Sequence, residues 1–263
     1  MKILFWNTNR NPNINMYLLS LVQDNKIEML ITAEYTSDDK ELVSLFKQND
    51  IGLMPCNTIG CERLKMWCNY IDVEAANQQK YYSIQIVNRD IIVCSIHLPS
   101  DLHGEYSDER FAIIRQIMAD INQLKDSIGT DKVIIIGDMN EMPYGKGCLN
   151  ADGFHGLPAL NITDKATRTV NGMEYPKYYN PMWSLMGDYS YPPGTYYLNA
   201  SKLNSPVWYM LDQVIISKEL IPKFKRESLK IVTSCSFSDF KNENNIPNKH
   251  ISDHFPIICE IDD

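Results

Sequence analysis

The chain has 263 residues, of which 44% are hydrophobic and 22% charged, and it carries a net charge of −8. These totals suit a soluble globule with a sizeable core, and the acidic balance argues against a surface-wide field for polyanions. Any affinity for nucleic acid must therefore come from a local patch or from metal ions.

The opening "MKILFW" resembles the start of a signal peptide, but Asn7, Asn9, Arg10 and Asn11 end its apolar run too soon. No run reaches the length of a membrane span. Seven cysteines stand at 56, 61, 68, 94, 148, 235 and 259 with no CxxC pair. In a chain this long they read as free thiols, which predicts a cytoplasmic protein.

Along the chain, short apolar runs alternate with helical patterns. Lys2–Trp6 reads as a strand that ends at Asn7 and Asn9. Asn15–Gln23, after Pro12, has a helical pattern. Met29–Thr32 is a second strand and leads to Glu34. Asp38–Gln48 reads as a helix with Ser37 as its cap and Glu41 near its first turn. Tyr81–Val87 and Ile91–His97 flank "NRD" and read as an antiparallel hairpin. Ser107–Lys125 is the longest helix, with Phe111, Ile114, Ile117, Met118, Ile121 and Leu124 on one stripe.

Lys132–Gly137 is a strand that leads to Asp138 and Asn140. Residues 175–209 hold ten aromatics and five prolines, which predicts an ordered, loop-rich insertion. Met210–Ser217 carries Asp212 inside an apolar run, Leu229–Thr233 is a further strand, and Phe255–Ile261 is led in by Ser252, Asp253 and His254. Several strands are nearly continuous in Ile, Val and Leu, as strands buried on both faces are. With the hairpin, this predicts one α/β or α+β domain over residues 1–263 built on mixed sheets.

Six segments thus place an acid, amide or imidazole beside a strand end. If the strands share a sheet, these groups converge on one rim, where ligands of open sheets bind. Glu, Asp and Asn oxygens are hard ligands suited to Mg²⁺ or Mn²⁺. Zinc fits less well, because there is no HExxH motif and no Cys cluster. Two histidines, several acids and two amides supply what phosphoester hydrolysis needs: charge neutralisation, an oriented water and a stabilised leaving oxygen. Each residue also has a plain structural alternative. Asn7, Asp138 and Asn140 suit turns, His97 suits a satisfied core site, and Asp212 suits an ion pair. It is the six together, at successive strand ends, that favour a site.

The pieces "WNTN", "AE" at Glu34, "SIHLP", "GDMN", "LDQVIIS" and "SDHFPI" run in order over nearly the whole chain. The set resembles the endonuclease/exonuclease/phosphatase superfamily, which includes pancreatic-type DNases, apurinic endonucleases, inositol-polyphosphate 5-phosphatases, neutral sphingomyelinases and deadenylases. The resemblance implies a four-layered α-β-β-α sandwich of two packed mixed sheets. It implies Glu34 as the principal Mg²⁺ ligand, with Asn7 beside it and Asp253 near the metal. Asp138 would orient or deprotonate water, and Asn140 would hold the phosphate or that water. His254 would act at the scissile phosphate with Asp212 behind it, and His97 would donate to a phosphoryl or leaving oxygen. Glu62, in "CERLKMW", is the partner the resemblance suggests for His97. One departure is "TAEY", where many members have Gln before the metal ligand.

The implied activity is Mg²⁺- or Mn²⁺-dependent phosphodiester hydrolysis, with a nuclease acting on DNA or RNA as the leading reading. A phosphatase or phosphodiesterase for a small phosphorylated metabolite or lipid headgroup is the alternative, and a non-catalytic binding module on the same fold is a third. Asn9, Trp183 and Tyr196 are candidate substrate contacts, the rings by stacking. The basic cluster Lys218, Lys223, Lys225, Arg226 and Lys230 is interrupted by Glu219 and Glu227, and reads equally as a solvated face.

Overall fold

Strands that are apolar on both faces must be covered on both faces, and two packed sheets with helices outside provide that cover. In the computed structural model, residues 1–100, 106–160, 165–189, 191–201 and 205–262 are described. The first half contains β1 (Lys2–Asn7), α1 (Asn15–Asn25), β2 (Met29–Ala33), α2 (Asp39–Gln48), β3 (Met54–Pro55), β4 (Leu64–Cys68), β5 (Val73–Gln79), β6 (Tyr82–Val87), β7 (Ile91–His97) and α3 (Ser107–Ile128). The second half contains β8 (Val133–Asp138), α4 (Lys146–Leu149), β9 (Gly156–Leu157), β10 (Thr167–Val170), β11 (Met173–Pro176), β12 (Tyr178–Tyr179), β13 (Tyr196–Tyr197), β14 (Trp208–Tyr209), β15 (Asp212–Ser217), β16 (Lys230–Ile231) and β17 (Ile257–Glu260).

Among the described residues, one sheet has the order β16-β17-β1-β2-β4-β3 and the other β5-β6-β7-β8-β15-β12-β9. Both are mixed. In the first, β1 runs parallel to β2 and antiparallel to β17; in the second, β7 runs parallel to β8, which is antiparallel to β15.

Alternate residues of the same strands enter different cores. Ile3, Phe5, Met29 and Ile31 of the first sheet meet Val93, Ile134, Ile136, Val214 and Ile216 of the second in the central core. Leu4, Trp6, Leu30 and Ile258 turn the other way, onto Leu18, Leu21 and Val22 of α1 and Leu42 and Phe46 of α2. Ile92, Cys94, Ile96, Val133, Ile135 and Ile215 face Ile114, Ile117 and Ile121 of α3. The layers are therefore helix, sheet, sheet, helix, as the resemblance implies.

The hairpin over "NRD" forms, with β6 antiparallel to β7. The long helix runs from Ser107 to Ile128 and stops at Gly129, which has φ +71. The cap of α2 is Asp38, whose side chain accepts from the Lys40 N–H at 2.8 Å; the expected cap, Ser37, instead donates to the Asn11 carbonyl. β4 and β5 were not expected. β5 reads VEAANQQ and is only partly buried, so it lacks an apolar signal. The aromatic stretch holds a 3-10 turn at Pro181–Leu185 and the β13–β14 ribbon; its residues 190 and 202–204 lie outside the described residues. No helix among the described residues is long and apolar enough to cross a membrane.

The Gly of "GDMN" is required by packing. Gly137 has φ +152, and a Cβ there would lie 2.0 Å from the Ile96 carbonyl oxygen on the neighbouring strand. That contact is to backbone and cannot be relieved by a rotamer. Gly137→Ala should lower stability by roughly 2–4 kcal/mol. Thermal unfolding measures this, and an unchanged melting temperature would contradict the close approach.

Candidate active site

Strand register sets the site. In the second sheet His97 stands directly beside Asp138, and Asp138 directly opposite Asp212, so three adjacent strands end level. In the first sheet Asn7 ends β1, and Glu34 follows Ala33, its partner across the β1–β2 ladder. The two rims are joined by one buried hydrogen bond, from Asn7 Nδ2 to Asp138 Oδ2 at 2.9 Å.

Asp138 is central. Its Oδ2 lies 3.8 Å from His97 Nε2 and 3.9 Å from His254 Nε2, so both imidazoles present the same nitrogen to one carboxylate oxygen. Its Oδ1 accepts from the Asn140 N–H at 2.9 Å. Asn140 leaves the strand with φ +47, and its Nδ2 donates to the Leu98 carbonyl. Glu34 also leaves its strand with a left-handed backbone, φ +53, and its Oε1 lies 3.5 Å from His97 Nε2. Left-handed backbone in a non-glycine residue costs on the order of 1–2 kcal/mol, and both of these strand exits adopt it.

The two histidines are set apart electrically. Asp212, fully buried, accepts from His254 Nδ1 at 2.7 Å. Burial alone would lower the His254 pKa, but Asp212, then Asp138 and Asp253, outweigh it and raise it well above the usual range. His97 goes the other way. Burial, the largest influence, lowers its pKa despite Asp138 and Glu34 nearby. One imidazole is thus held as the cation and the other as the neutral ring, which is how two like groups are fitted for different proton duties.

Glu62, the expected partner of His97, is not bonded to it. Glu62 is exposed in the turn before β4, and His97 Nδ1 is buried without a hydrogen-bond partner. The turn instead presents its backbone, because the Arg63 carbonyl accepts the Glu34 N–H at 3.1 Å. Tyr196 reaches the site: its ring lies 4.8 Å from the His254 ring, centroid to centroid. Burial, then Asp253 and Asp138, push the Tyr196 phenol up to about 12, so it stays a neutral hydroxyl. Asp253 is part-exposed and close enough to act on both rings. Trp183 packs against Tyr144, on the segment after Asn140. Asn9 is exposed, and its N–H bonds back to Asn7 Oδ1.

Trp6 and Thr195 went unread in the sequence, and Ser252 was read only as a turn residue before the last strand. The Trp6 indole donates to the His254 carbonyl at 2.8 Å. Ser252 donates to the Asn7 carbonyl at 2.7 Å and accepts the His254 N–H at 3.1 Å. Thr195 is fully buried; its Oγ1 accepts the N–H groups of Leu211 and Asp212, while its carbonyl accepts the Phe255 N–H. Thr195 therefore ties the start of β15 to the segment bearing His254. The sequence signal was "PPGT", since Gly194 admits the Tyr209 backbone where a Cβ would lie 2.6 Å from its carbonyl oxygen.

The donor set suits a hard divalent cation. Carboxylates of Glu34 and Asp138 gather at one rim beside the Asn7 amide, whose Nδ2 faces Asp138 while its Oδ1 accepts the Asn9 N–H, and the buried acids outnumber the cations beside them. Asp138, Asp212 and His254 also offer atoms within 4.8 Å of one another, although Asp212 and His254 already bond each other.

No protein-family model matches the sequence, and no curated protein matches it by sequence. Solved structures do match in fold. D. rerio TDP2 complexed with a single-strand DNA product is 14% identical with a TM-score of 0.59, covering 100% of this chain and 99% of that one. A variant of the 3' phosphatase NExo from Neisseria bound to a product DNA hairpin is 14% identical with a TM-score of 0.57, covering 100% and 99%. An AP endonuclease from Archaeoglobus fulgidus is 10% identical with a TM-score of 0.58, covering 100% of both chains. This chain has their fold.

The tie through Thr195 is testable. Thr195→Val keeps the shape but strands two buried N–H groups, which costs roughly 1–3 kcal/mol. It should disorder the Asp212–His254 pair and lower any turnover at least about tenfold, with recovery in Thr195→Ser. Equal activity in the Val and wild-type proteins would remove Thr195 from the site's support.

Proposed function

We infer that this protein is a divalent-metal-dependent phosphodiesterase that cleaves nucleic acid by attack of water on phosphorus. The observation that carries the reading is the convergence of His97 Nε2 and His254 Nε2 on Asp138 Oδ2, with Glu34 alongside. Its supports are the fold shared with proteins solved with DNA products and the excess of carboxylates. A phosphodiester is itself an anion, so such a rim accepts it only with added positive charge.

Glu34 and Asn7 would hold a Mg²⁺ or Mn²⁺ ion, with Asp138 and Asp253 close by. When bound, the ion would neutralise phosphoryl charge and stabilise the leaving oxygen. The chain's own groups supply the rest. Asp138 orients the water and takes its proton. The Asn140 amide positions water or phosphate. His254, kept protonated by Asp212, donates to a phosphoryl oxygen. His97, kept neutral, faces the same space beside Glu34. The seven free thiols support a reducing, cytoplasmic setting for this single domain.

The test is hydrolysis of plasmid, single-stranded DNA, RNA and bis-p-nitrophenyl phosphate with Mg²⁺, Mn²⁺ or EDTA. Activity on nucleic acid should appear with metal and vanish with EDTA. His254→Ala and Asp138→Asn should each reduce turnover by about 10³-fold or more with the fold retained. Wild-type rates in either variant would defeat the assignment. Separately, Glu34→Gln should raise the Mg²⁺ concentration at half-maximal activity; an unchanged metal titration would remove Glu34 from the ion's ligands.

A further inference from the structure

The site described above uses none of the seven cysteines, yet two of them touch. Cys56 Sγ lies 3.3 Å from Cys68 Sγ. The ladder between β3 and β4 brings them together. Met54 stands opposite Cys68 and Pro55 opposite Trp67, and the Cys56 N–H donates to the Met66 carbonyl at 2.8 Å. Residues two apart on a strand share a face, so Cys56 and Cys68 are diagonal neighbours on one side of this ladder. That side is the inner one. Met66 and Cys68 belong to the central core, and the partly buried Cys56 packs against it.

The other five thiols are placed differently. Cys94, Cys148 and Cys259 are buried, and burial raises the pKa of each. Cys61 is also buried and raised, and it donates to the Lys80 carbonyl. Cys235 is part-exposed and follows β16, which forms the opposite edge of the same sheet. In the touching pair, the hydrogen bond from Cys56 is the largest influence on Cys68 and lowers its pKa against the effect of burial, while Cys56 keeps its proton. A thiol below its ordinary range with a second sulfur beside it is suited to reversible oxidation. A disulfide bond is about 2.0 Å long, so the two sulfurs need to approach by only about 1.3 Å. Cys56 follows the last residue of β3, the outermost strand of its sheet, so it can shift without breaking a central ladder.

We propose that Cys56 and Cys68 are a redox-active dithiol that a peroxide converts to an intramolecular disulfide. One sulfur, as thiolate, attacks a peroxide oxygen. The O–O bond breaks, a sulfenic acid forms, and the second oxygen leaves as hydroxide. The other sulfur, as thiolate, attacks the sulfenic sulfur; the S–O bond breaks, the S–S bond forms and a second hydroxide leaves. Each hydroxide takes up one of the protons the thiols gave up. With hydrogen peroxide, two thiols are thus oxidised by two electrons in all, and the peroxide is reduced to two waters. A small thiol such as glutathione reverses the step by exchange. In a reducing compartment such a pair is a transient sensor of oxidant, not a permanent staple. The crosslink closes the segment from 56 to 68, which includes the Arg63 carbonyl that holds the Glu34 N–H. Nothing in this chemistry depends on the phosphodiesterase reading.

The experiment treats the reduced, folded protein with a small excess of hydrogen peroxide, alkylates the remaining thiols and maps the peptides by mass spectrometry. Two of the seven thiols should be lost together, in one peptide pair joined through Cys56 and Cys68, and dithiothreitol should restore both. Cys235 should be lost at least about tenfold more slowly, because exposure alone does not make a thiol reactive. Cys56→Ser and Cys68→Ser should each abolish the crosslink; the wild-type map decides the matter even if one variant folds poorly. Oxidation first at Cys235, a crosslink from either residue to a different cysteine, or alkylation of both Cys56 and Cys68 after peroxide has been consumed would overturn the proposal. The same treatment in guanidinium chloride should spread oxidation over all seven thiols. Equal selectivity in the unfolded chain would also overturn it, since the ladder would then not be the cause.

Discussion

Three side chains stand level across neighbouring strands because β7, β8 and β15 share one hydrogen-bonding register. A slip of one residue in any of these ladders would turn His97, Asp138 or Asp212 to the opposite face. Their strands cannot slip easily, since Ile92 to Ile96, Val133 to Ile136 and Val214 to Ile216 are all fully buried, with the small Ser95 almost as deeply placed. Hydrophobic packing in two cores therefore fixes the positions of polar groups at the rim. The second sheet also meets the first through Asn7 and Asp138, whose hydrogen bond is buried. A chemical group at the centre of the site is thus also the point where two sheets meet.

That arrangement has an electrostatic consequence. Asp138 and Asp212 are both nearly or wholly removed from water, and neither has an arginine or lysine as a bonded partner among the described residues. The charge of Asp212 is balanced by His254, and that of Asp138 is shared among an amide, a backbone N–H and the edges of two imidazoles. Burial of such charges is unfavourable without compensation. Proton sharing within the Asp212–His254 pair supplies part of it, and this is why the two histidines differ. The remaining deficit faces outward toward Glu34, where a hard cation and an anionic substrate would complete the balance together.

Much of this was legible in the sequence, for definable reasons. Runs such as "VIIIGD" and "IIVCSIH" have no polar alternation, so they had to be strands covered on both faces, and their terminal polar residues had to lie at a rim. His97, Asp138, Asn140, Asp212 and His254 were accessible by that route. Thr195, Ser252 and Trp6 were not. Each acts through one to three hydrogen bonds to the backbone, and a Thr or Ser in a turn looks the same whether or not it carries that load. Glu62 failed for the opposite reason: its neighbours in sequence suited the role, but the turn that carries it presents the Arg63 carbonyl to the site and leaves the Glu62 side chain in solvent. β5 was missed because an edge strand of mixed polarity has no periodic signature, and β4 because its five residues, LKMWC, are too short a run with a Lys inside it.

The low identity to proteins of the same fold follows from the same division of labour. A core of interleaved Ile, Leu, Val and Phe needs volume and pattern, and many combinations supply both. The rim needs particular atoms, but only a few, and register delivers them. Between these lie the strand exits, where Glu34 and Asn140 adopt left-handed backbone to turn their side chains inward. Arg10 uses the same conformation one loop further out, where its N–H donates to the Glu34 carbonyl and its carbonyl accepts from Thr36. The register behind these exits therefore fixes where the rim's polar atoms stand, whatever the loops beyond them carry.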